Sequence, residues 1–291
     1  MKRIYHERNR YTRIATEKTY RNMVGIIGGT GLNKLGIFQK VLNSDVSTPF
    51  GDPSDSLQQG LIHDKPCILI NRHGKNHTIN PTNINYRANL WALKSLKCTH
   101  VIAITTCGGL QSHTKPGDFI ILDQFFDRTN KRIQTFYDGQ PNSPNGVLHI
   151  PMSEPFCERT RQILIKAAAQ VGEKVHKSGT VVTIEGPRFS SKFESKFWNQ
   201  MGASVINMTT VPEVILAKEL GLCYASLAIV TDYDSWLDNE DSVHVQKVSH
   251  VMKLNTERVI NIIIESIKLI NDEDWIETLN RNNELIEQFT V

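Results

Sequence analysis

From Met23 onward, short runs rich in valine and isoleucine alternate with segments of helical periodicity, and this alternation constrains the fold more than any other feature. Such apolar runs are typical of buried β-strands. Their alternation with helices predicts an α/β protein with a central twisted mixed β-sheet flanked by helices. The predicted strands are MVGII (23–27), PCILINR (66–72), HVIAIT (100–105), DFIILDQFF (118–126), HKSGTVVTI (176–184), SVINM (204–208) and CYASLAIV (223–230).

Apolar residues at helical spacing predict helices between some of these strands. One lies in NYRANLWALKSL and a second in VPEVILAKEL, where Pro212 suits the first helical turn. The longest predicted helix runs from near Ser242 to Ile270. Its predicted buried face consists of Val245, Val248, Met252, Val259, Ile263, Ile267 and Ile270.

The charge of the chain is unevenly distributed. Residues 1–22 hold seven Lys or Arg and two Glu, so they carry +5 and leave about −2 of the total of +3 for residues 23–291. We expect residues 1–22 to be a basic extension that is disordered or arises from an upstream start codon, and residues 23–291 to form one domain that includes a C-terminal helical tail. This domain offers no basic face for nucleic acid.

Cysteine usage and hydropathy indicate the compartment. The five cysteines include no CxxC pair, and an odd count argues against a disulfide framework or a zinc ribbon. No apolar run approaches the ~18 residues that a membrane span needs, and residues 1–22 lack the apolar core of a secretory signal. We therefore expect a cytoplasmic protein, which could also enter the nucleus, with no membrane partner.

Small polar and basic residues follow several predicted strands at the point where each strand ends. GGTGL (28–32) follows the first strand, Arg72 ends the second and His73 comes next, Thr105 ends the third, and Thr209 follows SVINM. Ligands of α/β sheets bind at the carboxyl ends of strands, and arginine and hydroxyl groups suit phosphate oxygens. Together these residues predict a pocket that holds one inorganic phosphate without a metal.

Each of these motifs alone has a simpler explanation. GGTGL could be a tight turn, because the third glycine of a dinucleotide-binding loop is missing. Arg72 could be a surface arginine with polar neighbours. His73 and His77 have the spacing of zinc ligands on a helix, but Gly74 and the following NPTN do not suggest a helix, so we predict no metal site. The chain has no Walker-A loop, so the anion need not belong to a nucleoside triphosphate.

Two carboxylates, Asp232 and Asp234, follow the apolar strand CYASLAIV. A helix start, a metal site or acid chemistry would each explain carboxylates at a strand end. Phe189, in TIEGPRFSS (183–191), could stack on a flat ring or fill the core. The residues by themselves leave these alternatives open.

The chain contains, in this order, GIIGGTGL, TPFGDPSD, RHGKNHTINPTNINYRANLWAL, KPGDFIILDQFFDRT, HIPMSEPFC, TIEGPRFSS, VINMTTVPEVILAKE and TDYDSW. Together these motifs closely resemble the methylthioadenosine phosphorylase branch of the trimeric purine nucleoside phosphorylase family, over about residues 23–290. The resemblance implies a single domain with a nucleoside phosphorylase-like fold. It also implies a pentosyltransferase that uses inorganic phosphate to release adenine from 5′-methylthioadenosine, forming 5-methylthioribose 1-phosphate.

The resemblance also implies roles for residues of this chain. Phosphate would be bound by Thr30, Arg72, His73, Thr105, Thr106 and Thr209. The purine and the ribose would be bound by Phe189, Ser190, Asn207, Met208, Asp232 and Asp234. The two aspartates would be the catalytic pair, with Asp232 our choice for the group that protonates N7 of adenine or hydrogen-bonds to it. The methylthio group would be contacted by Val245 and Val248, with His149 supplied by a neighbouring subunit.

Two positions favour adenine over 6-oxopurines. Family members that prefer 6-oxopurines carry Glu after the aromatic residue and Asn at the position of Asp232, whereas this chain has Ser190 and Asp232. A mispaired buried polar group costs ~1–3 kcal/mol, enough to discriminate between the bases. The phosphate turn reads TTCGG where the family usually has TACGS, and we expect the extra hydroxyl of Thr106 to improve the use of adenosine or 2′-deoxyadenosine.

The resemblance further implies a homotrimer that binds only small molecules, with phosphate as co-substrate and no cofactor, in purine and methionine salvage. The alternatives are a broader adenosine or 6-oxopurine nucleoside phosphorylase, a Rossmann-type dehydrogenase, and a nucleoside-binding protein without catalysis. A dehydrogenase is disfavoured by the missing third glycine and the lack of a clear acidic ribose partner. Loss of catalysis is disfavoured because every anion-binding position and both aspartates are present.

Overall fold

A mixed β-sheet runs through the residues that the computed structural model describes, which are 22–29, 38–238 and 243–291. Its strands are β1 (Met23–Gly28), β2 (Gln39–Ser44), β3 (Leu57–Ile62), β4 (Lys65–Asn71), β5 (Cys98–Gly109), β6 (Phe119–Ile121), β7 (Gln124–Arg128), β8 (Val175–His176), β9 (Thr180–Ile184), β10 (Val205–Asn207) and β11 (Cys223–Asp232). The helices are α1 (Tyr86–Ser95), α2 (Glu158–Gln170), α3 (Lys192–Gln200), α4 (Thr210–Glu219), α5 (Val245–Asp272) and α6 (Ile276–Phe289), with a short 3₁₀ helix at Pro81–Asn83.

The long strand β5 is the centre of the sheet. It pairs in parallel with β1 and β11, and its last residues, Gly108 and Gly109, pair antiparallel with β10. The sheet continues from β1 through β4, β3 and β2, and from β10 through β9 to β7. Because β10 runs back along the end of β5, it brings Asn207 within hydrogen-bond distance of Thr105. The carboxyl ends of strands with opposite directions therefore converge on one region.

Apolar side chains on both faces of the sheet form the core. Successive residues of a strand point to opposite faces, and in β1 Ile26 packs with α2 and α5 while Ile27 packs with α1 and α4. The first of these clusters also contains Trp275, which is 1% exposed. Burial of apolar area on this scale is the main favourable contribution to folding. The sheet is thus held rigid from both sides.

Local sequence signals account for where several helices begin. α1 begins after Asn85, whose side chain accepts a hydrogen bond from the backbone N–H of Ala88. α3 begins with a reciprocal capping box between Ser191 and Glu194. These side chains satisfy backbone donors that have no partner within the first turn of a helix. The cap of α3 fixes the chain directly after Phe189.

The predicted α/β architecture with a mixed central sheet is confirmed. Two segments that were each predicted as one strand are divided into two strands. DFIILDQFF forms two strands, β6 and β7, because the chain leaves β11 and joins β9 between them. Asp123 secures this crossing, since its N–H donates to Gly179 and its carboxylate accepts from the Gly179 N–H. HKSGTVVTI is likewise divided into β8 and β9. The strands β2 and β3 and the helices α2 and α3 were not predicted.

The two helices predicted in residues 86–95 and 210–219 are present as α1 and α4. The long predicted helix is present as α5, which begins at Val245; its predicted start at Ser242 lies outside the described residues. The prediction that Val245 belongs to the buried face is wrong, because this side chain is 67% exposed. Burial begins one to two turns later, at Met252, where the helix reaches the sheet.

Two predictions concern residues that the structure does not describe. Residues 1–21, which make up nearly all of the predicted basic extension, and Thr30 lie outside the described ranges. The boundary between residues 1–22 and 23–291 therefore stays a prediction. Within residues 22–29, 38–238 and 243–291, no helix is both long and apolar enough to cross a membrane.

Candidate active site

A cavity of about 350 Å³ lies where the carboxyl ends of β1, β4, β9, β10 and β11 meet the second half of β5. This is the position at which α/β sheets bind ligands. Its wall contains most of the residues singled out in the sequence, namely Arg72, His73, Thr105, Thr106, Phe189, Asn207, Met208, Thr209, Asp232, Asp234, Val245 and Val248. The strand ends thus bring together side chains that are far apart in sequence.

Arg72 is the buried cation of the cavity wall. Its Nε and Nη2 donate to the two carboxylate oxygens of Glu213 at 2.6 and 2.8 Å, and its Nη1 donates to the Ile104 carbonyl at 3.2 Å. Burial alone would lower the pKa of Arg72, but the Glu213 carboxylate outweighs this effect and raises it. The guanidinium is therefore permanently charged and fixed in orientation.

Glu213, the partner of Arg72, is a residue that sequence reasoning missed. It is fully buried on α4, and its carboxylate also accepts a hydrogen bond from the Tyr224 hydroxyl at 2.8 Å. A signal was present, because Glu213 stands within the otherwise apolar run VPEVIL, and a buried carboxylate needs a partner. The identity of that partner, 141 positions away in the chain, could not be read from the run itself.

His73 is almost buried and lies beside the Arg72 guanidinium. Its Nδ1 is 2.8 Å from the Ile79 carbonyl oxygen, which can only accept, so Nδ1 carries the proton and Nε2 keeps its lone pair. Burial, followed by the charge of Arg72, lowers the pKa of His73 to about 4. The imidazole is therefore neutral at physiological pH and presents one hydrogen-bond acceptor.

Asn207 organises the hydroxyl groups of the cavity wall. Its amide nitrogen donates to the hydroxyls of Thr105 and Thr210 at 3.1 and 2.7 Å, and its amide oxygen accepts from Thr183 and from the backbone N–H of Thr209. With both ends of the amide engaged, Asn207 cannot rotate without breaking several buried hydrogen bonds. It keeps Thr105 and Thr209 together on one wall.

The two aspartates lie at the end of β11 and interact with each other. Asp232 accepts hydrogen bonds from the Thr231 hydroxyl at 2.7 Å and from the backbone N–H of Asp234 at 2.8 Å. A Cβ at Gly108 would lie 3.0 Å from Asp232 Oδ1 and from Asp234 Cβ, so glycine relieves a tight approach to both aspartates. Asp234 has a left-handed backbone with φ of 49°, and its Oδ2 is buried without a hydrogen-bond partner among the described residues.

Burial changes the acidity of both aspartates. It raises the pKa of Asp232, and the Thr231 hydroxyl and the Asp234 N–H offset only part of this effect. Burial likewise raises the pKa of Asp234, and the hydroxyls of Ser195 and Ser190 offset only part of this effect. A carboxyl group with a raised pKa retains its proton to higher pH and can act as a hydrogen-bond donor or an acid. Either carboxyl group can therefore donate a proton, and Asp234 Oδ2 has no hydrogen-bond partner among the described residues.

Phe189 and Met208 form the apolar part of the wall. Phe189 is 38% exposed, which is unusual for a phenylalanine that serves only the core. The preceding turn contains Gly186 with φ of 68°, and a Cβ there would lie 2.6 Å from the Met208 sulfur. The loop therefore passes close to the Met208 side chain. Ser190 is buried but is not part of the cavity wall.

His149 is not brought to this cavity. It is exposed, and its backbone N–H donates to the Phe289 carbonyl at 3.0 Å. The neighbouring Leu148 bridges to Thr290, and Val147 exchanges two hydrogen bonds with Val291. His149 and the end of the chain thus lie together outside the cavity wall. In the described ranges, three or more His, Cys, Asp or Glu side chains do not come together in a way that could hold a metal ion.

Comparison with known proteins gives a consistent result. The family model of the phosphorylase superfamily matches residues 23–268. S-methyl-5′-thioadenosine phosphorylase of Danio rerio is 53% identical over 262 residues, which cover 90% of this chain and 94% of the relative. The protein of the same name from Anopheles gambiae is 52% identical over 256 residues, covering 88% of this chain and 92% of the relative.

Solved structures of similar sequence share the whole fold. Methylthioadenosine phosphorylase from Schistosoma mansoni in complex with adenine has a TM-score of 0.90 and 47% identity, covering 92% of this chain and 99% of that chain. A single-substitution variant of adenosine/methylthioadenosine phosphorylase from the same organism, in complex with methylthioadenosine, has a TM-score of 0.89 and 47% identity, with 92% and 98% coverage.

Proposed function

This chain belongs to the phosphorylase superfamily, and from that membership we propose that its cavity catalyses the phosphorolysis of 5′-methylthioadenosine. Inorganic phosphate attacks C1′ of the nucleoside, the C1′–N9 bond breaks with its electron pair moving to the base, and adenine and 5-methylthioribose 1-phosphate result. The observation that carries this proposal is a single cavity wall that contains a fixed arginine with threonine hydroxyls and a pair of buried aspartates. The names of the relatives support the same reaction.

In the proposed phosphate subsite, Arg72 supplies the fixed charge and Thr105, Thr106 and Thr209 supply hydroxyl groups. Neutral His73 can accept a hydrogen bond from a protonated phosphate oxygen at Nε2. Thr30 keeps its proposed place in this subsite from the sequence motif, and its neighbour Gly29 is on the cavity wall. Together these groups offer a positive charge, hydroxyl donors and one acceptor to a phosphate anion.

Phosphate binding and bond cleavage are coupled through the charge of the sugar. Breaking a glycosidic bond passes through an oxocarbenium-like sugar cation. A phosphate held close to C1′ stabilises this cation and then captures it. We assign Met208 and Asn207 to the ribose, because Met208 is on the wall between the phosphate residues and the Phe189 loop and Asn207 fixes the wall beside it.

The proposed purine subsite consists of Phe189 and the two aspartates. Phe189 packs on the base, and the partly exposed ring is available for this contact. Asp232 protonates N7 or hydrogen-bonds to it as charge develops on the leaving adenine. Asp234 accepts from the exocyclic amine through its unpartnered Oδ2, and the small Ser190, where 6-oxopurine enzymes carry Glu, leaves this recognition to the aspartates.

The wall at the beginning of α5 is the proposed methylthio subsite. Val245 and Val248 line the cavity and give this end an apolar surface. We propose that the active protein is a homotrimer in which His149 of a neighbouring copy completes this end. The exposed position of His149 beside residues 289–291 supports contact with another copy. Sedimentation velocity of the purified protein tests this, with three chains expected and one chain contradicting it.

Thr106 is the residue that we expect to broaden substrate use. Thr106 lines the cavity beside Thr105, where the family usually has alanine, and an added hydroxyl can hydrogen-bond to phosphate or sugar. Thr106→Ala should therefore raise the ratio of kcat/KM for methylthioadenosine to kcat/KM for adenosine. The measurement is a pair of steady-state titrations on each protein, and an unchanged ratio would contradict this role.

We also propose a cytoplasmic and nuclear enzyme of purine and methionine salvage that uses no cofactor. All five cysteines are free thiols, the state that a reducing compartment maintains. The products support the salvage role, because adenine can be reused as a purine and methylthioribose 1-phosphate retains the sulfur and methyl group of methionine.

The deciding experiment measures adenine release from methylthioadenosine by the purified chain with and without inorganic phosphate. Release that requires phosphate and is matched by methylthioribose 1-phosphate is the expected result. Release that persists in phosphate-free buffer would identify a hydrolase and would overturn the assignment of the phosphate subsite. Inosine serves as the comparison substrate, and a preference for inosine would favour the 6-oxopurine alternative.

A further inference from the structure

Arg132 is a buried cation outside the cavity wall that none of the assignments above uses. It lies in the connection after β7, outside the strands and helices, yet its side chain is only 1% exposed. A guanidinium presents five N–H groups in a rigid fork, and burial is favourable only when acceptors satisfy them. The partners of Arg132 therefore show which parts of the molecule it holds together.

One side of the guanidinium binds the segment after β10. Nη1 donates to the carbonyl oxygens of Met208 and Val211, both at 2.6 Å, and approaches the Tyr86 hydroxyl at 3.2 Å. This segment carries Met208 and Thr209 of the cavity wall and leads into α4. Arg132 thus fixes the backbone between the proposed ribose and phosphate contacts.

The other side of the guanidinium binds the segment after β9. Nη2 donates to the Glu185 carbonyl at 2.7 Å and to the Ile184 carbonyl at 3.4 Å, and Nε faces the Glu185 carboxylate at 3.4 Å. That carboxylate also accepts from the backbone N–H of Asn130 at 2.6 Å, which anchors the loop that carries Arg132. This second segment leads directly to Phe189.

Sheet geometry explains why a side chain is needed at this point. The β9–β10 ladder ends at the pair Thr183–Asn207, so beyond it the two segments no longer pair with each other. Buried carbonyl groups require donors from elsewhere, and Arg132 supplies them to both segments. The close approach of Gly186 to the Met208 sulfur shows how tightly the two segments are held against each other.

We propose that Arg132 is a positioning residue. It holds the segment after β9, which leads to Phe189 (the Phe189 loop), and the segment after β10, which carries Met208 (the Met208 segment), at the spacing that the nucleoside requires. This inference rests on the proposed function, because it assigns the purine to Phe189 and the ribose to Met208. Arg72, by contrast, is held by Glu213 and the Ile104 carbonyl. Arg132 donates to neither of these two groups in the hydrogen bonds described. Arg132 therefore acts on nucleoside binding and turnover more than on phosphate affinity.

Arg132→Ala should lower kcat/KM for methylthioadenosine by about 10- to 100-fold, because a displacement of about 1 Å in a binding wall can cost this much. The KM for phosphate should rise by a smaller factor, because Thr209 lies on the segment that Arg132 holds but the Arg72 contacts remain. The kcat/KM of Arg132→Lys for methylthioadenosine should lie between those of wild type and Arg132→Ala, because one ammonium group cannot reach both segments as the planar guanidinium does. Steady-state titration of each substrate at a saturating concentration of the other measures both parameters.

Added guanidinium at millimolar concentration should restore part of the activity of Arg132→Ala and should not raise that of wild type. Arg87→Ala is the matched control, because Arg87 also pairs with a carboxylate and covers an aromatic ring but donates to neither wall segment. It should keep wild-type kinetics. A mere loss of stability would lower the amount of active enzyme and leave both KM values unchanged.

The outcomes separate this inference from the proposed function. If wild type releases adenine and Arg132→Ala matches it in kcat/KM for the nucleoside, the role of Arg132 is overturned while the function stands. An equal fold-increase in the KM for the nucleoside and in the KM for phosphate would also overturn the role of Arg132. If wild type shows no phosphate-dependent release, the function fails, and adenine binding by calorimetry still tests Arg132, with weaker binding expected in the variant. If Arg132→Ala does not fold, Arg132→Lys decides by the same nucleoside-against-phosphate comparison.

Discussion

At the scale of single residues, burial determines the chemistry of the cavity wall. Arg72 stays charged because Glu213 compensates it, His73 stays neutral because it lies beside that charge in a buried position, and the two aspartates gain a raised pKa from burial. In water, arginine would be charged and aspartate ionised near neutral pH, and only histidine would titrate there. The fold thus assigns a donor, an acceptor or a charge to each.

Asp232→Asn tests the acid role at the end of β11. The amide keeps the size of the carboxyl group but cannot supply a proton, so kcat for methylthioadenosine should fall by ~10²- to 10⁴-fold. Because the protonated form is the active one, wild-type kcat should decrease as pH rises through the raised pKa of Asp232. That decrease should be absent in the variant. Asp234→Asn is the control, and a larger loss there would transfer the acid role to Asp234.

Glu213→Gln tests the compensation of Arg72. Removing one partner of a buried ion pair leaves the other charge uncompensated, so the free energy of unfolding should fall by about 3–5 kcal/mol. Bound phosphate would replace part of the lost negative charge, so added phosphate should stabilise the variant more than wild type. Urea unfolding with and without phosphate measures both effects.

The matched control for that change is Glu265→Gln, which breaks an i,i+3 pair with the exposed Lys268 on α5. Such a pair contributes only about 0.2–0.5 kcal/mol. If Glu213→Gln lost no more stability than this control, Glu213 would not be the group that compensates Arg72.

At the scale of elements, strand ends supply most of the cavity wall and the first turn of α5 supplies its apolar end. Val245 and Val248 precede the first fully buried residue of that helix, Met252, so they are free to face the cavity. The sequence periodicity placed all three on one buried face. The structure separates them, because the helix begins beyond the edge of the sheet and packs against it only later.

Val248→Thr tests the apolar end of the cavity. Replacing a methyl group by a hydroxyl removes apolar contact worth ~1–2 kcal/mol, so the KM for methylthioadenosine should rise by ~5- to 30-fold, since each 1.4 kcal/mol corresponds to about tenfold. The KM for adenosine, whose 5′ group is polar, should change much less. Leu254→Thr, on an exposed part of the same helix, is the control and should alter neither. Equal increases for both nucleosides would contradict a methylthio subsite here.

At the scale of the whole molecule, two apolar layers keep the sheet rigid, and one of them encloses a titratable side chain. His100 is fully buried with its ring 4.3 Å from that of Trp275. Burial, with a smaller contribution from the charge of Arg159, lowers the pKa of His100 to about 3. Protonation of this side chain is therefore strongly coupled to unfolding.

The sign of that coupling gives a prediction for acid stability. Below pH 6.5 the unfolded chain binds a proton at His100 that the native protein excludes down to about pH 3. The stability contributed by neutral His100 is thus complete above pH 6.5 and is lost as pH falls toward 3. Relative to His100→Gln, wild type should lose about 1.4 kcal/mol of unfolding free energy per pH unit across this window. Urea unfolding at pH 7.5, 5.5 and 4.5 measures the difference.

The control for acid stability is Ile102→Val, a buried substitution on the same strand that adds or removes no titratable group. It should lower the unfolding free energy by about 0.5–1.5 kcal/mol at every pH. If His100→Gln and wild type showed the same pH dependence, His100 would not be the group that excludes the proton.

The sequence by itself determined the class of fold and the residue types at the strand ends. Strand and helix periodicity, turn residues and the apolar runs are local signals, because they depend on neighbours within a few positions. These signals put Arg72, Thr105, Thr209 and Asp232 at or near predicted strand ends, but β5 continues past Thr105 to Gly109, and the edge that these residues share depends on the pairing of the whole sheet. The motif resemblance added the reaction and the substrate, which the comparisons with relatives support.

Only the tertiary structure decided which partner each buried polar group takes. The Arg72–Glu213 pair joins residues 141 positions apart, and Arg132 bonds to Met208, 76 positions away. The division of residues 118–126 into two strands likewise depends on β9 and β11, which lie far along the chain. Burial strengthens polar interactions and makes unpaired groups costly, but the set of groups buried together follows from packing of the whole chain. No local pattern contains that information.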